Sequence, residues 1–390
     1  MKFDKAPNSK QAIDIFNKMI LKKSKDATRK IDKPFVIYGA GNLGTMAFDF
    51  FNKIEKFPDF IVDKNINLSN IELANNNKIN LLYPESVSCE NRKKYLIIVC
   101  VVTSSYEKIY ESLNEQGWSD IVHFYDVTEA YIDVYPLSNG WILKELNENE
   151  ISNIKLVISK WEDDTSRAHF LQFISWHKLR EEWTFLDSEN NINDRYFIES
   201  IKKILNHNES FLDVGAHEGE VCEKFISLIN NYKSIEMIEP DPLNYEKIIK
   251  KFKLNKNYQN QNIKLFPLVI SSGNEKVSFY GGLGYTSQIS EKGQNILTAY
   301  KVDQLDLSPS FIKIHLEGWE LEALKGMKNT IKKNKPIIVT TSYHNKLGIC
   351  ELPMWLLTNL QKESEDYKLF FRQHGWCGTG GVIYCVPVSR

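Results

Sequence analysis

The chain has 390 residues, 42% of them hydrophobic and 25% charged, and a formal net charge of -1. At roughly 100–200 residues per domain this is two or three domains of ordinary globular composition, which excludes a wholly disordered chain or a coiled coil. Near-neutral charge makes nucleic acid a poor partner. The longest apolar run, Leu96–Val102, is far short of the roughly 20 residues of a spanning helix, and Met1–Lys5 lacks the order of a secretory signal. Six scattered cysteines without a CxxC pair read as reduced thiols, so the expected location is the cytoplasm.

In chain order, residues 9–24 place Ile13, Phe16, Ile20 and Leu21 at helical spacing, predicting a surface helix packed on the domain that begins after it. Pro34 opens an apolar strand, Phe35–Tyr38. A glycine loop and a helix come next, then strands over Asp59–Asp63, Tyr95–Val102 and Asp120–Tyr125, with a helix over Ser105–Gln116. Strands alternating with helices predict a parallel sheet with crossover helices. Asn-rich residues 65–79 read as a loop. From about 128 to 205 the pattern is helical and aromatic, clearest over Trp161–Glu182 with Asp163 or Asp164 as N-cap.

A second series has strands over Ser210–Val214, Ser234–Glu239, Ile263–Ile270, Phe311–Glu317, Pro336–Tyr343, Tyr367–Arg372 and Gly381–Val388, interrupted by a strand-like pair, Lys276–Tyr280 and Ala299–Val302. Only a Gly-rich turn separates the last two, so they should pair as an antiparallel hairpin. The expected fold is therefore α/β, with two doubly wound domains joined by a helical linker, the second a seven-stranded sheet of the class I methyltransferase layout. The boundaries fall at 1–130 (Rossmann-like), 131–205 (helical linker) and 206–390.

Two constellations sit at strand ends. Gly39, Gly41 and Gly44 form GxGxxG between a strand and a helix, with Asp63 ending the next strand. Such a loop brings backbone close to a diphosphate, and the acid can accept ribose hydroxyls, which marks a second nucleotide site. Residues 34–125 resemble the small Rossmann domain of bacterial sugar-nucleotide acetyltransferases and a nucleotide-fold domain appended to some sugar C-methyltransferases. The other constellation is Asp213, Gly215, Ala216, His217 and Gly219 after an apolar strand, joined one βα unit later by Glu239, Pro240 and Asp241. A DxGxxxG loop and an acid at the next strand end suit S-adenosyl-L-methionine: backbone approaches the methionine moiety and the carboxylate accepts ribose hydroxyls.

Residues from about 195 to 386 resemble the FkbM family of S-adenosylmethionine-dependent methyltransferases through YFIESI, FLDVGAHEGE, MIEPDPLNYEKI, GGLGYTSQISEKG, KVDQLD, FIKIHLEGWELEALKGM, PIIVTTSYHNK, ELPMWL and YKLFFRQH. The resemblance implies methyl transfer to oxygen, with sugars of polysaccharides, glycolipids and antibiotics as acceptors. It carries Asp213, Gly215 and Gly219 into the cofactor loop, Glu239 and Asp241 to the ribose end, and Ser287 and Asp303 to polar positions between the third and fourth strands. Lys313, His315 and Glu317 alternate along the fourth strand and are expected to share one face. The family carries Asp where this chain has His315. His344, one strand over, and His315 are alternative general bases, with Glu317 beside them. Arg372 and His374 end the sixth strand, where they line an acceptor pocket or cap the sheet. Glu317, His315 and His344 include oxygen and imidazole donors that a metal could use, but no HxxE or DxD ligand pair of recognised spacing occurs, so no metal is expected.

The leading expectation is an O-methyltransferase acting on a sugar hydroxyl of a glycan, polysaccharide or nucleotide sugar. Two other readings fit the same residues: a non-catalytic scaffold of glycan assembly that binds cofactor or nucleotide sugar, and an NAD(P)-dependent oxidoreductase using the N-terminal domain. A sugar or glycan acceptor is the expected partner, without nucleic acid or a membrane span, and a homo-oligomer is compatible with the sequence.

Overall fold

A computed structural model describes residues 1–390 except 66–78, 138, 230, 256–257, 259–261, 283–285 and 362–365. Most of the Asn-rich stretch expected as a loop, and the Leu283–Tyr285 part of the GGLGYTS motif, lie outside the described residues. No described helix is long and apolar enough to cross a membrane.

Apolar runs that alternate with helices bury both faces, and parallel sheets result. The N-terminal sheet has five parallel strands in the order Leu81–Leu82, Ile61–Val62, Phe35–Tyr38, Leu96–Val99, Ile121–His123. The run expected as a strand over Asp120–Tyr125 stops at His123. There the imidazole Nδ1 accepts the Tyr125 N–H at 3.3 Å and caps a helix over Phe124–Glu129.

The C-terminal sheet has seven strands. In space the order is Ile263–Phe266, Ser234–Ile238, Ser210–Val214, Phe311–Ile314, Ile337–Thr341, Gly381–Pro387, Tyr367–Gln373, and only Gly381–Pro387 runs antiparallel to its neighbours. The expected long strand over 263–270 is split, because Pro267 has no N–H to give to a ladder. Val269–Ile270 turns away and joins a smaller sheet with Asn295–Tyr300, Lys276–Tyr280 and Gln288–Ile289. That sheet takes the strand expected over Ala299–Val302 at Asn295–Tyr300, and a 3₁₀ turn succeeds it at Val302–Gln304. The fourth strand ends at Ile314, short of Glu317.

Between the sheets lie the helices Glu148–Lys160 and Asp164–Leu179. Asp163 caps the second through the Ser166 N–H at 2.8 Å. Their apolar residues, Ile154, Phe170 and Phe173, share one core with Ile312 and Ile383 of the large sheet. Helix Ser9–Ile20, expected with the N-terminal domain, buries Ala12, Phe16 and Met19 in that same core, while Leu21 faces solvent. Lys2–Phe3 likewise pairs with Thr184–Phe185. The opening segment therefore packs on the linker and the C-terminal domain, and the five-stranded sheet lies between two parts of one larger unit.

Lys313 and Asp213 are register partners on adjacent strands. The ammonium lies 2.8 Å from the carboxylate, and both side chains are almost fully buried. Removing one partner of such a pair leaves an uncompensated buried charge. Lys313→Met is expected to destabilise this domain by about 3–5 kcal/mol, and the double variant Lys313→Met/Asp213→Asn to recover a large part of that loss. Urea unfolding of the three proteins checks both; equal losses in the single and double variants would contradict the pairing.

Candidate active site

The carboxyl ends of the parallel strands carry the site, where doubly wound sheets leave a crevice. Gly215 succeeds the first strand with φ +78°, and a Cβ there would stand 2.0 Å from the His315 carbonyl oxygen. Gly219 has φ +82°, and a Cβ there would meet the Phe252 ring at 2.5 Å. These glycines let the turn lie against the fourth strand and against the helical segment that carries Phe252. Lys313 donates to the Gly215 carbonyl oxygen at 2.6 Å, so the buried pair also holds the turn. Lys313 is thus paired with Asp213, and not with Glu317.

Beside this turn is a cavity of about 280 Å³, lined among others by Gly215, Ala216, His217, Glu239 and Pro240. Glu239 accepts the His217 N–H at 2.7 Å and the Asp241 N–H at 2.9 Å. A carboxylate has about four lone-pair sites, so capacity remains toward the cavity. Burial pushes the Glu239 carboxyl up to about 7, against the two N–H donors that favour its charge.

Asp241 is engaged elsewhere. One oxygen takes the Leu243 and Asn244 N–H groups at a helix start, and the other takes the Gly282 N–H and the Ser287 hydroxyl, each at 2.6 Å. It thereby holds Gly282 and Ser287 beside the helix start, and Ser287 lines the cavity. Asp303 lies outside the cavity, accepting the N–H groups of Asn329 and Thr330.

A second cavity, also about 280 Å³, lies between the two domains. Asn42, Leu43, Met46 and Thr103 line it from the N-terminal domain, and Tyr343 and His374 from the C-terminal one. Arg195, His315 and Glu317 border both cavities. The domains are fastened around them: Trp376 donates its N–H to the Val102 carbonyl at 2.8 Å, Arg180 pairs with buried Asp126 at 2.9 Å, and Glu182 accepts the Tyr106 N–H at 2.7 Å at the start of a helix.

At the shared border His315 and Glu317 do not sit on one strand face as expected. The strand has ended, and Glu317 takes φ +50° before Gly318 at φ +106°. This turn brings the carboxylate 3.1 Å from His315 Nε2 and 3.3 Å from His344 Nδ1. The imidazole rings stack at 5.1 Å. Burial, with Arg195 beside it, lowers the His344 imidazole to about 3, and burial with Arg195 and His344 holds His315 well below its ordinary value. Burial and the neighbouring Glu320 push the Glu317 carboxyl up to about 8. His344 borders neither of the two cavities.

Arg195, Asn139 and Glu320 were not singled out in the sequence. Arg195 donates to the Tyr343 hydroxyl at 2.9 Å and lies over the Tyr196 ring at 5.0 Å. Asn139 Oδ1 is 3.2 Å from His344 Nδ1, and Glu320 accepts the Leu316 N–H and the Thr341 hydroxyl. The first two come from the linker region, Arg195 just before the YFIESI stretch and Asn139 outside any motif. Glu320, three residues after Glu317, reads as an ordinary helix-start acid. Arg372 is held by Asp163 at 2.6 Å and reaches neither cavity, whereas His374 bonds the Tyr384 hydroxyl at 2.7 Å.

In the N-terminal loop, Gly39 has φ +105°, and a Cβ on Gly44 would stand 2.0 Å from the Gly39 carbonyl oxygen. Asp63 folds back on this loop, accepting the Ala40 N–H at 2.6 Å and the Asn65 N–H at 2.7 Å. Asn42 and Leu43, next to Gly41, face the interdomain cavity.

Residues 213–375 match the methyltransferase FkbM domain. No curated protein matches the chain. Among solved structures, the methyltransferase FkbM from Methylobacillus flagellatus KT is 16% identical, with TM-score 0.58 over 97% of this chain and 98% of that one, so the two share a fold. The precorrin-6Y C5,15-methyltransferase from Geobacter metallireducens GS-15 is 14% identical over 51% of this chain and 93% of its own, with TM-score 0.29.

Gly215→Ala is expected to destabilise the protein by at least about 2 kcal/mol, because it adds left-handed strain to a backbone clash. Gly41→Ser, at an open helix N-cap with no neighbour within 4 Å of its Cβ, should be neutral or slightly stabilising. Chemical denaturation distinguishes them; similar midpoints would show that the turn yields to a side chain.

Proposed function

From the methyltransferase FkbM domain that residues 213–375 of this chain form, we propose that the protein is an S-adenosylmethionine-dependent O-methyltransferase whose acceptor is a sugar hydroxyl, presented by a glycan or nucleotide sugar in the interdomain cavity. The observation that carries this reading is the pair of cavities meeting at Arg195, His315 and Glu317. One has the chemistry of a donor pocket and the other is open to an acceptor. When bound, S-adenosylmethionine supplies an electrophilic methyl group on a sulfonium centre.

The residues present fit that cofactor. The glycine turn brings Gly215, Ala216 and His217 to the cavity wall, and the free lone pairs of Glu239 suit two ribose hydroxyls. The N–H groups from His217 and Asp241 orient the carboxylate before any ligand arrives. In the interdomain cavity, Asn42, Thr103, Asn139 and Thr379 offer donors and acceptors, while Tyr125 and Tyr343 offer ring faces. Alternating polar groups and ring faces suit a polyhydroxylated acceptor. The N-terminal domain contributes one wall, so its glycine loop serves acceptor binding in place of a separate dinucleotide.

Transfer forms an oxygen–carbon bond as the sulfur–carbon bond breaks. The hydroxyl proton leaves at the cluster of Glu317, His315 and His344. Positioning supplies most of the acceleration, because the donor is already activated.

The experiment is release of S-adenosylhomocysteine on a panel of nucleotide sugars and glycans, after calorimetry with S-adenosylmethionine. A folded protein that binds no S-adenosylmethionine would overturn the reading. A linked prediction concerns pH. Ribose hydroxyls bond the ionised form of Glu239, whose carboxyl is raised to about 7 without ligand. Cofactor affinity should therefore fall as pH drops through 7, by about tenfold between pH 8 and pH 6, with proton release on binding. Asp241 and His217 are the neighbouring charged or titratable groups. Glu239→Gln should bind more weakly at pH 8 and lose this pH slope.

A further inference from the structure

Within the reading above, we propose that Glu317, His315 and His344 hold a first-row divalent cation of the zinc or manganese kind, placed to take the acceptor oxygen as a further ligand. One ligand atom from each residue lies within 4.8 Å of the other two. His315 Nε2 is 3.1 Å from one Glu317 carboxylate oxygen and His344 Nδ1 is 3.3 Å from the other, separations that let the carboxylate and both rings share one ion. An ion about 2.1 Å from its nitrogen and oxygen ligands keeps them roughly 3–4 Å apart.

Three further observations point the same way. Among the described residues, no lysine or arginine forms an ion pair with Glu317, although the side chain is 13% exposed. Arg195 is engaged by the Tyr343 hydroxyl instead. One of the remote ring nitrogens has a polar outer partner of the sort metal-bound histidines use, and the other faces a carboxylate beyond hydrogen-bond distance. His315 Nδ1 is 2.9 Å from the Tyr196 hydroxyl. His344 Nε2, buried and without a hydrogen bond, stands 3.8 Å from Glu320. Two more oxygens approach the same point: Asn139 Oδ1 at 3.2 Å from His344 Nδ1, and the Tyr343 hydroxyl at 3.3 Å from His315 Nε2.

Two imidazoles and one carboxylate favour zinc or manganese over magnesium, which prefers six oxygens. His315 and Glu317 border both cavities, so an open coordination position faces the acceptor. A hydroxyl bound there becomes more acidic. Because the ion would occupy the donor atoms of the cluster, the proton that leaves there would pass to cavity water, and the oxygen held on the cation would bond to the methyl carbon as the sulfur–methyl bond breaks, leaving S-adenosylhomocysteine. No oxidant or reductant is involved. Sequence spacing gave no sign of this, because the ligands come from a turn and a second strand end and meet only in the fold.

The test uses the full chain stripped with chelator and titrated with Mn²⁺ by electron paramagnetic resonance, with Zn²⁺ and Mg²⁺ as competitors. One saturable Mn²⁺ per chain is expected, displaced by Zn²⁺ and little affected by Mg²⁺, with two imidazole nitrogens coupled to the electron spin. Glu317→Gln and His344→Ala should each weaken Mn²⁺ binding at least thirtyfold. His315→Asp should retain Mn²⁺ but lose preference for Zn²⁺, because an oxygen replaces a nitrogen. Wild-type protein without saturable binding, or bound Mn²⁺ without imidazole coupling, overturns the proposal even where a variant fails to fold. Full-rate S-adenosylhomocysteine release by metal-free protein overturns it while leaving methyl transfer standing. Cation binding by these residues in a protein that binds no S-adenosylmethionine supports the site and removes the transfer reading.

Discussion

A lysine and an aspartate, almost fully buried and 2.8 Å apart, join the first and fourth strands of the large sheet. Isolated, either charge would cost several kcal/mol, so the strands are held in the register that pairs them. The same ammonium reaches the Gly215 carbonyl, and Gly215 lies against the His315 carbonyl. One ionic contact thereby sets the glycine turn, the end of the fourth strand and the start of the bend that brings Glu317 inward. The cavity walls take their places from those positions.

The second organising constraint is that the two sheets face each other with their carboxyl ends. Each doubly wound sheet leaves a crevice at that end. Here the crevices confront one another and close around a shared volume. Buried Arg180–Asp126 and the capping carboxylate of Glu182 fasten the arrangement, so the N-terminal domain acts as a wall. Asp63 is turned onto its own loop, and Asn42 and Leu43 look across at Tyr343.

Much of this was legible in the sequence. Seven apolar runs and a Gly-rich last turn imply seven strands with a terminal antiparallel hairpin, because runs buried on both faces leave little freedom in strand identity. Asp213 and Glu239 stand out because an acid ending an apolar strand is costly unless it is used. Other features depended on tertiary contacts that spacing does not encode. Pro267 breaks one apolar run into strands of two sheets, although the hydrophobic pattern continues through it. Alternation placed Lys313, His315 and Glu317 on one face, but the left-handed turn at Glu317 and Gly318 ends the alternation. Asp241 and Asp303 look alike in sequence as acids near motifs. One holds Gly282 and Ser287 beside the cavity and the other caps a distant helix, a difference decided by which donors happen to approach. Arg195 and Asn139 reach the site from the linker, one just ahead of the YFIESI stretch and the other outside any motif.

Helix Ser9–Ile20 packs on helices Glu148–Lys160 and Asp164–Leu179, with the whole five-stranded sheet between them in the chain. During synthesis the opening helix therefore emerges well over a hundred residues before its partners. It must wait with Phe16 and Met19 uncovered while the intervening sheet assembles on local contacts. Closing so long a loop is slow compared with forming a βα unit. The N-terminal sheet should thus be complete first, and the opening helix should dock only after the linker helices have left the ribosome. An apolar helix left waiting is a natural binding surface for chaperones, and the order of assembly makes the domain wall available before the cavity it closes.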